Sequence, residues 1–234
     1  MNILDKICKE LHELSKDPRN IKDYSKFHKD GKQHIGIASP LVKKVSSKYF
    51  KEIKNLDKKK IFILCEKLLN TRGSGYKDIV FDWAFRIRKR YKKEDFKIFE
   101  NWLKKYVDTW GSCDDLCTHA LGEFIYQFPE FISKIKGWAE SKNKWLRRAS
   151  AVGLIYSIRR KRGLTDVFEI ADLLLKDKED LVQKGYGWML KETSNKYPEE
   201  VFAYVMKNKK EMSRTALRYA IEKMPAKLRQ RALK

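Results

Sequence analysis

The chain contains no apolar run of about 18 residues, so no transmembrane helix is expected. Cysteine is scarce: Cys8, Cys65, Cys113 and Cys117 are scattered through 234 residues and do not make a disulfide framework. Cys113, Cys117 and His119 stand close together, but no second ligand pair follows at zinc spacing, so no metal site is expected. A glycine-rich phosphate loop and a kinase motif set are both missing, which leaves no sign of a nucleotide cofactor. The first residues (Ile3, Leu4, Ile7, Leu11, Leu14) have helical spacing with charges between them, unlike the continuous apolar block of a signal peptide. The expectation is a protein of the cell interior without a metal, a cofactor or a membrane.

Acid is also in deficit. Lysine and arginine number 53 against 31 aspartates and glutamates, a net charge of +22. Such an excess is the electrostatic footprint of a polyanion-binding protein, with nucleic acid ahead of an anionic membrane surface.

What is present reads as all-α. Ile61, Leu64, Cys65, Leu68 and Leu69 share one helical face, as do Phe96, Phe99, Trp102, Leu103 and Tyr106, while alternating strand patterns are scarce. The five prolines, Pro18, Pro40, Pro129, Pro198 and Pro225, stand where helices begin or connect. Small residues recur about every 30 to 36 positions at Ala84, Ala120, Ala149, Gly185 and Ala216. That period predicts stacked helix pairs in a solenoid, each burying its apolar face on the next, in one domain spanning residues 1–234. An irregular helical bundle is the alternative, because the period varies.

The repeat also places charge. Arg147, Arg148, Lys184 and Arg214 fall at equivalent positions of consecutive helices, and on a concave solenoid face they would line a groove for a phosphodiester backbone. The plainer reading is that they are the solvated sides of helices. That reading suffices for Lys58 to Lys60, Arg86 to Lys93 and Lys227 to Lys234. It also partly suits Arg159 to Gly163, at a helix end where cations complement the dipole.

Against this basic background, Asp108-Thr109-Trp110-Gly111-Ser112-Cys113-Asp114-Asp115 puts carboxylates beside a large aromatic. A binder of polyanions gains nothing from acid next to its ligand, so an Asp114 facing a bound strand would be there for chemistry. The competing reading is a helix start, with Ser112 as N-cap and acids favouring the dipole. Of the six tryptophans, Trp83, Trp102, Trp138 and Trp145 sit in apolar patterns and read as core. Trp110 and Trp188 stand beside glycines. Gly185 and Gly187 within one helix cost about 1 kcal/mol each relative to alanine, which close helix packing or an approaching ligand must offset.

Four segments together resemble the AlkD-like DNA alkylation repair glycosylases, built from HEAT-like helical repeats. His34-Ile35-Gly36-Ile37-Ala38-Ser39-Pro40 is similar to the family's early Gly-hydrophobic-x-x-Pro turn. Trp110 to Asp114 matches Trp-x-x-x-Asp, and Trp145 to Ala149 matches Trp-x-x-Arg-Ala. Gly185 to Glu192 matches Gly-Trp-x-Leu-(Lys/Arg)-Glu. The resemblance runs from about residue 24 to the C-terminus. It implies hydrolysis of the N-glycosidic bond of alkylated purines, chiefly 3-methyladenine and 7-methylguanine, in double-stranded DNA, by a monofunctional and monomeric enzyme. It further implies that Asp114 is the catalytic carboxylate, that Trp110 and Trp188 flank the lesion nucleotide, and that Arg148 contacts the DNA backbone. Lys43, soon after Pro40, stands where relatives often have arginine, and is counted with the DNA contacts. Gly111 replaces a bulkier residue. A non-catalytic module binding damaged or branched DNA is the alternative, since the family has branches without excision activity.

Overall fold

The computed structural model describes residues 2–25, 35–71 and 75–234; His34 lies outside them. The chain divides into two compact units, Met1–Tyr91 and Lys92–Lys234.

In the first unit, α1 (Ile3–Lys16) starts at Asn2, whose side chain accepts from the Asp5 amide at 3.0 Å. Two three-residue strands, β1 (Ile21–Asp23) and β2 (Ile35–Ile37), pair antiparallel with Ile21 opposite Ile37. The sequence reading did not anticipate this ribbon, because three residues are too few to carry a period-two pattern. Helices α2 (Ser39–Ile53), α3 (Lys58–Leu69) and α4 (Tyr76–Arg86) follow, with Pro40 in the first turn of α2. Their core collects Ile7, Leu11, Val42, Val45, Ile61, Cys65, Leu68 and Trp83, all nearly or fully buried. The Trp83 indole donates to the Ser46 carbonyl at 3.1 Å, so its one polar group is satisfied in the core.

The second unit is a succession of helix pairs. Helix α5 (Phe96–Lys105) precedes α6 (Trp110–Thr118) and α7 (Ala120–Gln127); α8 (Ile132–Gly137) precedes α9 (Lys144–Val152) and the short α10 (Ile155–Ile158). Then come α11 (Leu164–Leu174) with α12 (Asp180–Ser194), α13 (Pro198–Asn208) with α14 (Arg214–Ala220), and the closing α15 (Ala226–Leu233). Helix α6 packs on α9, α9 on α12, and α12 on α14, one row running through successive repeats. This is the all-α, HEAT-like arrangement the period predicts, each repeat covering the apolar face of its neighbour. Pro129 and Pro198 open helical turns where the missing amide costs nothing. Phe96, Phe99, Trp102, Phe124 and Phe131 form an aromatic cluster, with Phe99 edge-on to Trp102 at 5.9 Å and to Phe124 at 5.7 Å.

The row is tight because two positions on α12 lack side chains. A Cβ on Gly185 would lie 3.1 Å from Arg148 Cγ, and one on Gly187 would lie 2.8 Å from Tyr219 Cβ and 2.9 Å from the Ala216 carbonyl. Helix packing therefore accounts for both glycines. Ala149, Gly185 and Ala216 do occupy packed positions on successive helices of the row. Ala120 is fully buried but lies off the row, because the helix breaks at His119 (φ −120°, ψ −91°) and Ala120 starts α7.

Gly187→Ala is expected to cost about 1–3 kcal/mol, since the opposing atoms are backbone and a Cβ that cannot rotate away. Gly111→Ala, where an added Cβ meets nothing within 4 Å, should show no such loss. Equal urea midpoints for the two variants would contradict the close approach of α12 to α14.

Candidate active site

Helix α6 starts earlier than the sequence reading placed it. Thr109 is the N-cap: its hydroxyl accepts from the Ser112 amide at 3.2 Å, and the Ser112 hydroxyl accepts from the Thr109 amide at 3.3 Å. Ser112 thus answers a cap instead of forming one, and Asp114 is released from any capping duty. Trp110 becomes the first helical residue. Asp114 follows it by one turn on the same face, as positions four apart do on a helix.

Asp114 meets Arg148 of α9 through two parallel bonds, Nε to Oδ1 and Nη2 to Oδ2, both 2.8 Å. This fork-to-fork geometry fixes the carboxylate in plane and in distance. The third side of the guanidinium is taken by α12, where Nη1 donates to the Leu181 carbonyl. The side chains are 15% and 6% exposed respectively. Burial pushes the Asp114 carboxyl above its ordinary 3.8, with Arg148 pulling it the other way. For Arg148, burial opposes the charge, but the bonds to Asp114 outweigh it and hold the guanidinium above its usual range. Burial prevails at the carboxylate and the ion pair prevails at the delocalised, weakly hydrated guanidinium. Burial and then the bond to Cys113 push the Cys117 thiol well above its usual range, so Cys117 offers no thiolate nucleophile.

Trp188 lies on α12 one turn beyond Gly185, the position that faces Arg148. It is half-buried, and its indole donates to Glu192 Oε1 at 2.9 Å. Glu192 is in turn held by Arg159 through Nε and Nη2, each at 3.1 Å. Burial raises the Glu192 carboxyl, but the bonds from Arg159 and Trp188 prevail and hold it below 4.5. Trp110 is half-buried as well.

Thus Asp114 and Arg148 touch, Trp110 shares the face of α6 that carries Asp114, and Trp188 shares the face of α12 that meets Arg148. Arg147 does not stand free: it binds Asp177 at 2.6 Å and donates to the Ser141 carbonyl at 2.8 Å. Lys184 pairs with Asp180 at 2.7 Å one turn back. Arg214, the first residue of α14, is exposed, and so is Lys43 on α2 of the other unit. Three of the four cations in the row are therefore matched by carboxylates.

Sequence reasoning missed three participants. Trp145, read as core, is half-buried, with the Lys144 ammonium 5.3 Å from its ring centre; its carbonyl accepts from Cys113 at 3.7 Å. Trp83, Trp102 and Trp138 are buried as read. Glu192 and Arg159 were not assigned to Trp188, although the spacing of four between Trp188 and Glu192 is a signal that was there to use. Among the described residues, no group of three or more His, Cys, Asp or Glu side chains is placed to hold a metal ion, and no helix is long and apolar enough to cross a membrane.

An all-α helical-repeat fold carrying a buried carboxylate–arginine pair, with two half-buried tryptophans on the same faces, defines the class of the molecule. Residues 7–224 match the family model described as DNA alkylation repair enzyme, and the chain belongs to that family. Among solved structures it is similar to a protein described as a predicted DNA alkylation repair enzyme from Enterococcus faecalis, with 19% identity, 81% of this chain and 87% of that chain covered, and a TM-score of 0.73. It is also similar to AlkD2 from Streptococcus mutans, with 19% identity, 96% and 100% covered, and a TM-score of 0.65. A third likeness is to the Pseudomonas fluorescens alkylpurine DNA glycosylase AlkC, solved bound to DNA containing an abasic site analog. There the identity is 15%, the coverage 99% of this chain and 66% of that chain, and the TM-score 0.53. No curated protein matches the chain.

Arg148→Met strands Asp114 in a buried site without its partner and should cost about 3–5 kcal/mol at neutral pH. An unpaired buried carboxyl has its folded-state pKa raised, so the deficit is full above that value and shrinks as the pH falls towards 3.8, the ordinary aspartate value. Adding Asp114→Asn should recover part of the loss. Urea unfolding at two pH values reads both effects, and a deficit independent of pH would speak against the pair.

Proposed function

We propose that the protein is a monofunctional DNA glycosylase that hydrolyses the N-glycosidic bond of cationic alkylated purines, 3-methyladenine and 7-methylguanine, in double-stranded DNA. The observation that carries this reading is the bidentate Asp114–Arg148 pair: a carboxylate fixed in orientation, one turn from Trp110, on a strongly basic protein. Membership of the DNA alkylation repair enzyme family supports it. The match over residues 7–224 supports treating the chain as one functional domain.

Alkylation at N3 or N7 makes the purine positive and therefore a good leaving group. The C1′–N9 bond breaks with its electron pair moving to the purine, which leaves neutral. The deoxyribose left behind becomes oxocarbenium-like, and the barrier lies in that charge. Asp114 opposes it electrostatically, accepts a hydrogen bond from the attacking water, and takes or relays the proton as the C1′–O bond forms. The indole faces of Trp110 and Trp188 suit an electron-poor sugar and base. Arg148 sets the aim of Asp114. A guanidinium has five N–H donors, and the bonds to Asp114 and Leu181 use three, so two remain for a phosphate. Arg147, Lys184, Arg214 and Lys43 complete the proposed DNA contacts, Arg147 and Lys184 by exchanging their carboxylates for phosphates. Water and a carboxylate suffice for this hydrolysis, so the reading includes no cofactor, and it takes the enzyme as a monomer in the cell interior.

The second reading draws on the same burial. A pair 15% and 6% exposed also serves as a strut in a non-catalytic module that binds damaged or branched DNA. Asp114→Asn separates the two: it keeps size and removes charge. The glycosylase reading expects release of 7-methylguanine from methylated duplex DNA to fall by ~10² to 10³, the usual cost of losing one preorganised electrostatic group, with DNA binding unchanged or tighter. A strut expects a loss of stability and nothing to lose in release. Wild-type protein that releases no methylated base would sink the assignment.

Because Asp114 must be ionised and its carboxyl is pushed upward, the acid limb of the excision profile should lie above pH 3.8. That limb should be missing from whatever activity Asp114→Asn retains.

Trp188→Ala should slow release while far-UV circular dichroism and melting stay near wild type, since the side chain is only half-buried. Cooperative unfolding at a much lower temperature would return Trp188 to the core.

A further inference from the structure

Four consecutive cations, Arg159-Arg160-Lys161-Arg162, turn the chain from α10 towards α11. A run like this is by default the solvated end of a helix, where positive charge complements the dipole. Three observations go beyond that default.

The first is charge matching. Arg147, Arg148, Lys136, Lys184 and Lys191 each meet a carboxylate, and within the run Arg159 meets Glu192. Arg160, Lys161 and Arg162 are exposed, and among the described residues no carboxylate pairs with them.

The second is order. The Arg160 guanidinium lies 3.4 Å from the Tyr156 ring centre and 5.5 Å from that of Tyr126, and the Arg162 guanidinium lies 4.5 Å from Tyr126. Arg160 Nη1 also donates to the Tyr156 carbonyl at 3.0 Å. Both arginines are thus presented on rings before any ligand arrives, so binding an anion has little left to order. Their planar forks suit a phosphate diester better than lysines would.

The third is the backbone. Lys161 has φ +60°, a left-handed conformation that disfavours a residue with a Cβ, and Gly163 follows at φ +85°. The turn is held by Lys161 N to Ile158 O at 2.8 Å, Arg162 N to Ser157 O at 3.1 Å, and the Tyr197 hydroxyl to the Lys161 carbonyl at 3.2 Å. A strained residue pinned by hydrogen bonds is a constraint of the kind found at ligand clamps. Its place is informative as well: Arg159, the first residue of the run, holds the glutamate that fixes Trp188.

We infer that Arg160 and Arg162, seated on Tyr126 and Tyr156, form with the exposed Lys161 a second DNA contact that grips the phosphodiester backbone next to the segment held at Trp188. The inference rests on the proposed function only for its partner, duplex DNA. It needs no excision chemistry.

The test is a titration of unmodified duplex DNA by fluorescence anisotropy between ~50 and ~200 mM salt. Removing two phosphate contacts in Arg160→Gln/Arg162→Gln should lower the slope of log affinity against log salt by ~2 and weaken binding on the order of tenfold or more. Lys161→Gln, which alters only an exposed side chain, should lower the slope by ~1 and serves if the double variant does not fold. Release of 7-methylguanine at saturating protein should be unchanged in both, since none of the three residues belongs to the site at Asp114. Unchanged slopes would overturn the inference. So would lost binding to phosphatidylserine vesicles with duplex binding intact, which would make the patch a membrane contact. Wild-type protein that binds duplex DNA but releases no base would remove the glycosylase reading and leave this contact standing.

Discussion

Arg148 reaches from α9 to both of its neighbours in the row, and the geometry of the candidate site follows from that reach. On one side it takes the Asp114 carboxylate of α6 in a fork, and on the other it donates to the Leu181 carbonyl of α12. Gly185 stands against the same side chain, where an added Cβ would lie 3.1 Å from Arg148 Cγ. The bare glycine brings α12 close enough for a backbone carbonyl to be a partner, and the guanidinium is then fixed from two directions. Asp114 inherits that fixity. A carboxylate on an exposed helix surface would sample rotamers, whereas this one is held in plane with its charge partly dehydrated.

The same pair explains how a molecule of net charge +22 keeps a carboxylate where a polyanion is expected to bind. The buried guanidinium offsets the repulsion locally, and burial raises the energy of the ionised form relative to water. A carboxylate so placed has more to gain from a cation developing beside it than a fully hydrated one, because fewer waters screen the attraction. Charge elsewhere in the second unit is arranged with similar economy. Arg147, Lys184 and Lys191 lean on carboxylates, whereas the turn after α10 presents stacked arginines that have none among the described residues. Counting cations overstates what a helical row offers to phosphate.

Trp188 shows the corresponding discipline for an aromatic. Its polar edge is tied to Glu192, and Glu192 is tied to Arg159, so the indole is oriented by a chain of bonds and not by packing alone. Thr109 does comparable service at the other end. By capping α6 together with Ser112, it starts the helix at Trp110, so that Trp110 and Asp114 are both helical and lie one turn apart on one face.

Much of this was legible in the sequence. Helical periods on Ile61 to Leu69 and Phe96 to Tyr106, prolines at helix starts, small residues at the repeat positions and the ordered tryptophan, aspartate and arginine motifs are local or periodic signals. They determine the all-α class, the helical repeat and the family. Other features belonged to the tertiary structure. Whether Ser112 caps α6 depended on competition with Thr109, decided by backbone geometry over a single turn. The short ribbon of Ile21–Asp23 with Ile35–Ile37 was invisible because three residues make no period. The partners of Asp114, Arg147 and Glu192 lie about one repeat away in sequence, so each pairing exists only once the helices are packed. A sequence period says which residues recur at equivalent positions, but only the packed helices decide which of those charges meet and which are left to face a ligand.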